Sequence, residues 1–255
     1  MLLAIDIGNT NTVLGVFSGG KLARSWRIKT DPRSTADELA LTYRGLLAEH
    51  EITGVSACST VPAALSELRD MLARYYPNVP TVLVEPGIRT GVSLQYENPK
   101  EVGADRIVNT LAAHHIVGNV PAIVVDFGTT TNFDVVSARG DFLGGALAPG
   151  IEISLDALAA RAAQLRTVEL VEPRGPIGKS TVEALQSGIL YGFAGQVDGL
   201  VRRLVAELAP TDPAAVEVIA TGGLAPLLIA HCETVTRHDP DLTLLGLRLI
   251  YERNV

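Results

Sequence analysis

The sequence lacks most of the features that mark secreted, membrane-spanning and nucleic-acid-binding proteins. Only two of its 255 residues are cysteine, Cys58 and Cys232. They lie far apart with neither C-x-x-C nor histidine spacing, so no disulfide framework or zinc site is signalled, and a reducing compartment fits. No stretch approaches the roughly eighteen apolar residues of a membrane span. The opening Met1-Leu2-Leu3-Ala4-Ile5 runs straight into Asp6, without the basic segment, apolar length or cleavage site of a signal peptide. Cytoplasm is the expected location. Long basic runs are missing too, and 21 Lys+Arg against 28 Asp+Glu leave a net charge of −7. That balance gives no electrostatic footprint for nucleic acid and disfavours an anionic membrane surface.

What remains is an ordinary globular composition. The hydrophobic fraction is 47% and the charged fraction 19%, which argues against disorder. The length suits one large or two modest domains. Short apolar runs at Leu2–Ile7, 12–17 and 21–28, separated by Gly8-Asn9-Thr10-Asn11 and Ser18-Gly19-Gly20, predict a three-stranded antiparallel meander. A second meander follows from Ala122–Phe127, 132–136 and 142–147, with Gly128-Thr129-Thr130-Thr131 and Arg139-Gly140 as turns. Asp6, Gly8, Thr10 and Gly20 fall on Asp126, Gly128, Thr130 and Gly140, each pair 120 positions apart. Four matches at one offset argue for an internal duplication.

Helical patterns cover 35–51, 63–75, Ala104–Val117, 153–164, Thr181–Leu208 and 224–231, with a further strand at 216–220. The first of these opens on a capping-box-like Ser34-Thr35-Ala36-Asp37-Glu38. Alternation of strands and helices predicts an α/β fold. The repeat places two similar lobes at 1–117 and 118–255.

Each hairpin pairs an aspartate at the end of a strand with a tip of Gly, Asn and Thr. Such a tip offers backbone N–H groups and hydroxyls at close range, which is what phosphate oxygens require. Asp6, Ile7, Gly8, Asn9, Thr10, Asn11, Thr12 and Val13 therefore form a credible phosphate cradle. A carboxylate beside polyphosphate repels it unless a cation lies between them, so Asp6 and Asp126 imply Mg²⁺ or a monovalent ion. One such hairpin alone would read as a simple β-turn. Two related copies point to a ligand held in a cleft between the lobes.

Further motifs narrow the reading: Tyr96-Glu97-Asn98-Pro99, then Gly103-Ala104-Asp105-Arg106, Gly144-Gly145-Ala146 with Pro149-Gly150, Gly178-Lys179-Ser180-Thr181, and Ala220-Thr221-Gly222-Gly223. Together with the hairpins they resemble the acetate and sugar kinase/Hsp70/actin superfamily and, within it, the type III pantothenate kinases. The resemblance covers essentially the whole chain. It implies two ribonuclease H-like/actin-like lobes and transfer of the ATP γ-phosphoryl group to pantothenate, the first step toward coenzyme A. It further implies that Asp105 accepts the proton, that Tyr96, Gly103, Ala104, Asp105, Arg106 and Thr181 hold pantothenate, and that the first hairpin with Thr129 holds the nucleotide. Asp126 would bind potassium or ammonium, Mg²⁺ would accompany ATP, and the protein would be a homodimer with substrate pockets at the interface. The second hairpin departs from the family pattern at Thr130, where Ala is more usual, and at Asn132, where Thr is.

Read as chemistry, Asp105 falls in the first turn of a helix whose apolar stripe is Val108, Leu111, Ala112 and His115. There the helix dipole favours an ionised carboxylate. Arg106 points elsewhere and could pair with a substrate carboxylate. Gly178-Lys179-Ser180 is not the end of a P-loop, because Pro173 stands where the pattern needs glycine. His114 and His115 diverge on their helix and predict a surface/core split rather than a metal pair, and Cys58 reads as a buried small hydrophobe. The rival functions are an actin- or Hsp70-like ATP-binding regulatory protein without small-molecule kinase activity and a transcriptional accessory factor. The first has no use for the Gly103–Arg106 signature, and the acidic balance opposes the second.

Overall fold

The computed structural model describes residues 1–161 and 168–255. They form two compact units. One comprises Met1–Val92, Glu97–Ala112 and Leu242–Val255, and the other Ser93–Tyr96 and Ala113–Asp241.

In the first unit, β1 (Leu2–Ile7), β2 (Asn11–Ser18) and β3 (Lys21–Lys29) form the expected antiparallel meander. The chain crosses over through α1 (Ala36–Leu47) to β4 (Gly54–Ser59), which pairs parallel to β1, and through α2 (Pro62–Tyr75) to β5 (Thr81–Leu83). The sheet order is β3-β2-β1-β4-β5. Thr35 caps α1 in a full capping box with Glu38, and Pro62 opens α2, where its missing N–H is harmless. Side-chain alternation along the strands sorts the core into two layers. Ile5, Ile7, Val55 and Ala57 pack with Tyr43, Leu68 and Met71 of α1 and α2. Ala4, Cys58 and Val82 face the other way, into a cluster with Val108 and Leu111 of α3 (Ala104–Val117).

The second unit repeats this plan. Strands β6 (Ala122–Phe127), β7 (Thr130–Val136) and β8 (Phe142–Pro149) form an antiparallel meander. After α4 (Ile151–Arg161) and the 28-residue α5 (Thr181–Leu208), β9 (Glu217–Thr221) pairs parallel to β6. A short α6 (Ala225–Leu228) leads to β10 (Arg237–His238), giving the order β10-β9-β6-β7-β8. Position for position this is the first sheet again, so the duplication seen in the hairpins extends across the sheet.

The chain then returns to its first unit with α7 (Leu242–Asn254), whose Leu244, Leu247 and Ile250 complete the layer around Val108. These units differ from the sequence division at 117/118 chiefly by this terminal helix. Residues 162–164 of the helix expected at 153–164 lie outside the described residues. The pattern at 224–231 resolves into α6 and a 3₁₀ turn at Ile229–His231. His115 is a correction, because it is exposed rather than part of the apolar stripe. The more covered histidine is His114, whose ring lies against the glycine turn at Gly140, where φ is +85°.

Candidate active site

Asp6 is the penultimate residue of β1, with its side chain on the sheet face that α3 covers, and Asp105 lies in the first turn of that helix. The strand and helix thus bring two carboxylates together in one unit. Burial pushes the Asp6 carboxyl up to about 7, with the Asp105 charge adding to the shift, while the Cys58 thiol and the Arg27 guanidinium pull the other way. Cys58 Sγ donates to Asp6 Oδ1 at 3.4 Å, because parallel pairing sets Asp6 opposite Cys58 on β4. Burial in turn raises the thiol well above its ordinary range.

Asp105 is also shifted upward, mainly by burial. The Arg106 backbone N–H, which donates to Asp105 Oδ1 at 2.9 Å, and the Arg106 guanidinium oppose that shift. Desolvation therefore outweighs the helix-dipole effect expected from sequence. Gly103 fits here because a Cβ at that position would overlap the Asp105 carboxylate. Arg106 itself is 8% exposed.

Asn9 and Thr10 are exposed at the tip of the first hairpin. Gly8 N–H donates to the Asn11 carbonyl at 3.0 Å, the Thr30 N–H to the Thr10 carbonyl at 3.0 Å, and the Thr12 and Thr30 hydroxyls pair at 2.8 Å. These bonds fix the strands behind the tip and leave it accessible.

In the second unit Asp126 is the penultimate residue of β6, as Asp6 is of β1. The turn after β9 presses on it, since a Cβ on Gly222 (φ +93°) would stand 2.6 Å from both Asp126 Oδ1 and the Phe127 carbonyl oxygen. A carboxylate and a backbone carbonyl thus converge on a space that a side chain would fill. Pro149-Gly150 abuts the hairpin tip: Gly150 N–H donates to the Thr129 carbonyl at 3.1 Å, and a Cβ there would lie 2.5 Å from the Gly128 carbonyl oxygen. The two departures from the family pattern answer one another, because the Thr130 hydroxyl donates to Asn132 Oδ1 at 2.6 Å.

Residues 93–96 run along the edge of β8, with paired backbone bonds of 2.8 Å to Phe142. Tyr96 stacks at a tilt on Phe142, with ring centroids 5.9 Å apart, and lies over Gly144. Tyr96 as a whole is 38% exposed. Thr181 is an exposed first-turn residue of α5, whose N-cap is Ser180. No hydrogen bond among the described residues ties the Thr181 side chain to the others.

The first unit therefore joins Asp6, the hairpin tip, Gly103, Asp105 and Arg106, and the second holds Asp126, Thr129 and Tyr96. Sequence reasoning missed the part played by Cys58, which only strand pairing across 52 residues reveals. Among the described residues no three His, Cys, Asp or Glu side chains cluster as a ready-made metal cage. The donor chemistry still fits cations. Asp6, whose carboxyl burial holds above its ordinary range, would gain from a divalent ion that keeps its waters and shares phosphate oxygens, and the Asp126 cradle offers oxygen donors to a larger ion.

Comparison with known proteins gives this arrangement its context. A sequence model of the type III pantothenate kinases matches residues 2–203. Type III pantothenate kinases from Frankia alni and Salinispora arenicola are 69% and 66% identical over 255 and 257 residues, each alignment covering 100% of both chains. Among solved structures, the activator of the 2-hydroxyisocaproyl-CoA dehydratase from Clostridium difficile with bound ADPNP aligns with a TM-score of 0.57 at 14% identity, over 98% of this chain and 94% of that one. A ROK family glucokinase from Streptomyces griseus, in complex with glucose and AMPPNP, gives 0.52 at 13% identity and 99% coverage of both. These two likenesses bear on the fold, which is the actin-like duplication. The sequence matches go further: the chain belongs to the type III pantothenate kinase family.

Proposed function

We propose that the protein transfers the γ-phosphoryl group of ATP to the primary hydroxyl of pantothenate, giving 4'-phosphopantothenate for coenzyme A synthesis. The observation that carries this reading is the pairing of Asp6 and Asp105 in a chain that matches the family from end to end. Phosphoryl transfer asks mainly for positioning and charge compensation. Asp105 orients the hydroxyl and takes its proton, and its upward-shifted carboxyl makes it a better acceptor than an ordinary aspartate. Asp6 would hold the Mg²⁺ that accompanies ATP, which supplies charge neutralisation at the phosphates. Residues Asp6 to Val13 and Thr129 engage the nucleotide. Arg106 pairs with the pantothenate carboxylate, and Tyr96, Gly103, Ala104 and Thr181 line the acceptor. A coupled assay with pantothenate and ATP should give phosphopantothenate, and ADP release without it would support the regulatory alternative instead.

The finer parts of the reading are proposals as well. Potassium or ammonium would sit at Asp126, favoured by the carboxylate and carbonyl that converge at Gly222. The protein would be a cytoplasmic homodimer without nucleic-acid partners. Exposed Leu143, Leu147, Ile153, Leu158 and Val182 in the second unit offer apolar surface for a second copy, and no described helix is long and apolar enough to cross a membrane. Sedimentation at micromolar concentration should show the dimer alone, and an active monomer would exclude it. The lobes 1–117 and 118–255 are the proposed products of duplication.

A further inference from the structure

The position of Asp105 relative to Asp6 depends on where α3 lies on the first sheet, and α3 is seated there by the terminal helix. Gly246 of α7 meets the backbone of α3 directly: a Cβ at Gly246 would collide with the Val108 carbonyl oxygen and lie 2.6 Å from Val108 Cγ1. One helical step away, the Thr243 hydroxyl donates to Asn109 Oδ1 at 2.8 Å. Asn109 is 1% exposed and stands one turn after Asp105 on the same helix. A buried amide needs such a partner, so this bond fixes both the depth and the rotation of the turn that carries the carboxylate.

The terminal helix is in turn keyed to the strands. Leu244 fits against Gly15 of β2, where a Cβ would lie 2.7 Å from its Cδ1, and the Tyr251 ring covers Gly54 of β4, where a Cβ would lie 2.5 Å from Cζ. Two glycines on the sheet receive the helix, and a glycine of the helix receives α3. The family's sequence model stops at residue 203, before this helix, although the full-length relatives align across it.

We propose that α7 is a positioning element for the reaction, acting on Asp105 through Gly246 and Thr243; this rests on the kinase reading above. Neither residue touches substrate. Gly246→Ala places a methyl group against a backbone oxygen that no rotamer change can move, so α3 and α7 must move apart. Misplacement by about 1 Å can cost about a hundredfold in rate, and the expected loss in kcat is between about tenfold and that limit. The apparent KM for ATP should stay within about twofold, because the hairpin tip is held by its own bonds at Gly8, Thr10 and Thr12 rather than by α3. Thr243→Val removes the donor and should lower kcat about three- to tenfold, while Thr243→Ser keeps the hydroxyl and should restore it.

The test uses the full chain, with steady-state kinetics and thermal melting on each variant. Leu68→Ala, a cavity in the core on the opposite face of the same sheet, serves as the stability control. It should lower Tm yet keep kcat within about twofold. If Gly246→Ala fails to fold, the Thr243→Val and Thr243→Ser pair decides the matter. Unchanged kcat in the folded variants, or a loss no larger than that of Leu68→Ala at matched Tm, would overturn the positioning role while leaving the kinase reading intact. A wild-type protein that makes no phosphopantothenate would overturn that reading and the positioning role with it.

Discussion

Replacing Asp6 by asparagine should make the nucleotide-free protein more stable at pH 8 while abolishing its activity. Its carboxyl is raised from 3.8 to about 7 in the folded protein. Below 3.8 both folded and unfolded chains carry the proton; between 3.8 and 7 only the folded chain does; above 7 neither does. The folded state then binds more protons than the unfolded one across that window, so this group costs stability as pH rises through it, and the cost is fully developed above 7. At about 1.4 kcal/mol per unit, the two units between pH 5 and pH 7 are worth about 3 kcal/mol as an upper bound. Asparagine keeps the shape and never ionises, so urea unfolding in EDTA should show a variant advantage that is larger at pH 8 than at pH 5 by about 1–3 kcal/mol. Cys58 and Arg27, which favour the charged form, are already included in the net shift. A stability difference that does not change between the two pH values, or a variant less stable than wild type at pH 8, would refute the assignment of Asp6 as a carboxylate held against its own desolvation.

Three further outcomes follow from the site. Asp105→Asn should lower kcat by about 10²–10⁴-fold, the usual range for a positioned general base, with nucleotide binding retained; near-normal turnover would reduce Asp105 to a helix-end acid. Activity should rise when potassium or ammonium replaces sodium, and Asp126→Asn should lose both the activity and the salt response, because a neutral amide coordinates a cation less well; equal rates of wild type in all three salts would remove the monovalent site. Gly150→Ala should raise the apparent KM for ATP, since its methyl group would meet the carbonyls of Gly128 and Thr129 and displace the hairpin tip; an unchanged KM would show that the tip does not bear on the nucleotide.

The parts of the fold that could be read in the sequence are those coded locally and twice. Asp-x-Gly-x-Thr at two places, each between apolar runs, indicated strand, turn and strand without tertiary information, and α3 and α5 have the predicted bounds. The parts that were not legible depend on distant partners. Strands of three and two residues, Thr81–Leu83 and Arg237–His238, are too short for any period to register and exist because a neighbouring strand offers them hydrogen bonds. The terminal helix carries Gly246 in its second turn, a poor helix residue in isolation that the contact with Val108 requires. Cys58 looked like filler because its bond to Asp6 arises only when β4 pairs with β1. For Asp105 the sequence supplied the residue and the helix end, while its raised carboxyl comes from burial that only packing creates.

The return of the chain to its first unit also has a kinetic consequence. The bond from Thr243 to Asn109 closes a loop of 134 residues, and for a flexible chain bringing such ends together costs about 4 kcal/mol in entropy. Folding of the intervening unit shortens the effective loop before the terminal helix docks. The helix–helix seam beside Asp105 is therefore expected to form late, after both sheets, and refolding followed by recovery of activity should lag behind refolding followed by the single tryptophan, Trp26, which lies on β3 beside the first core layer.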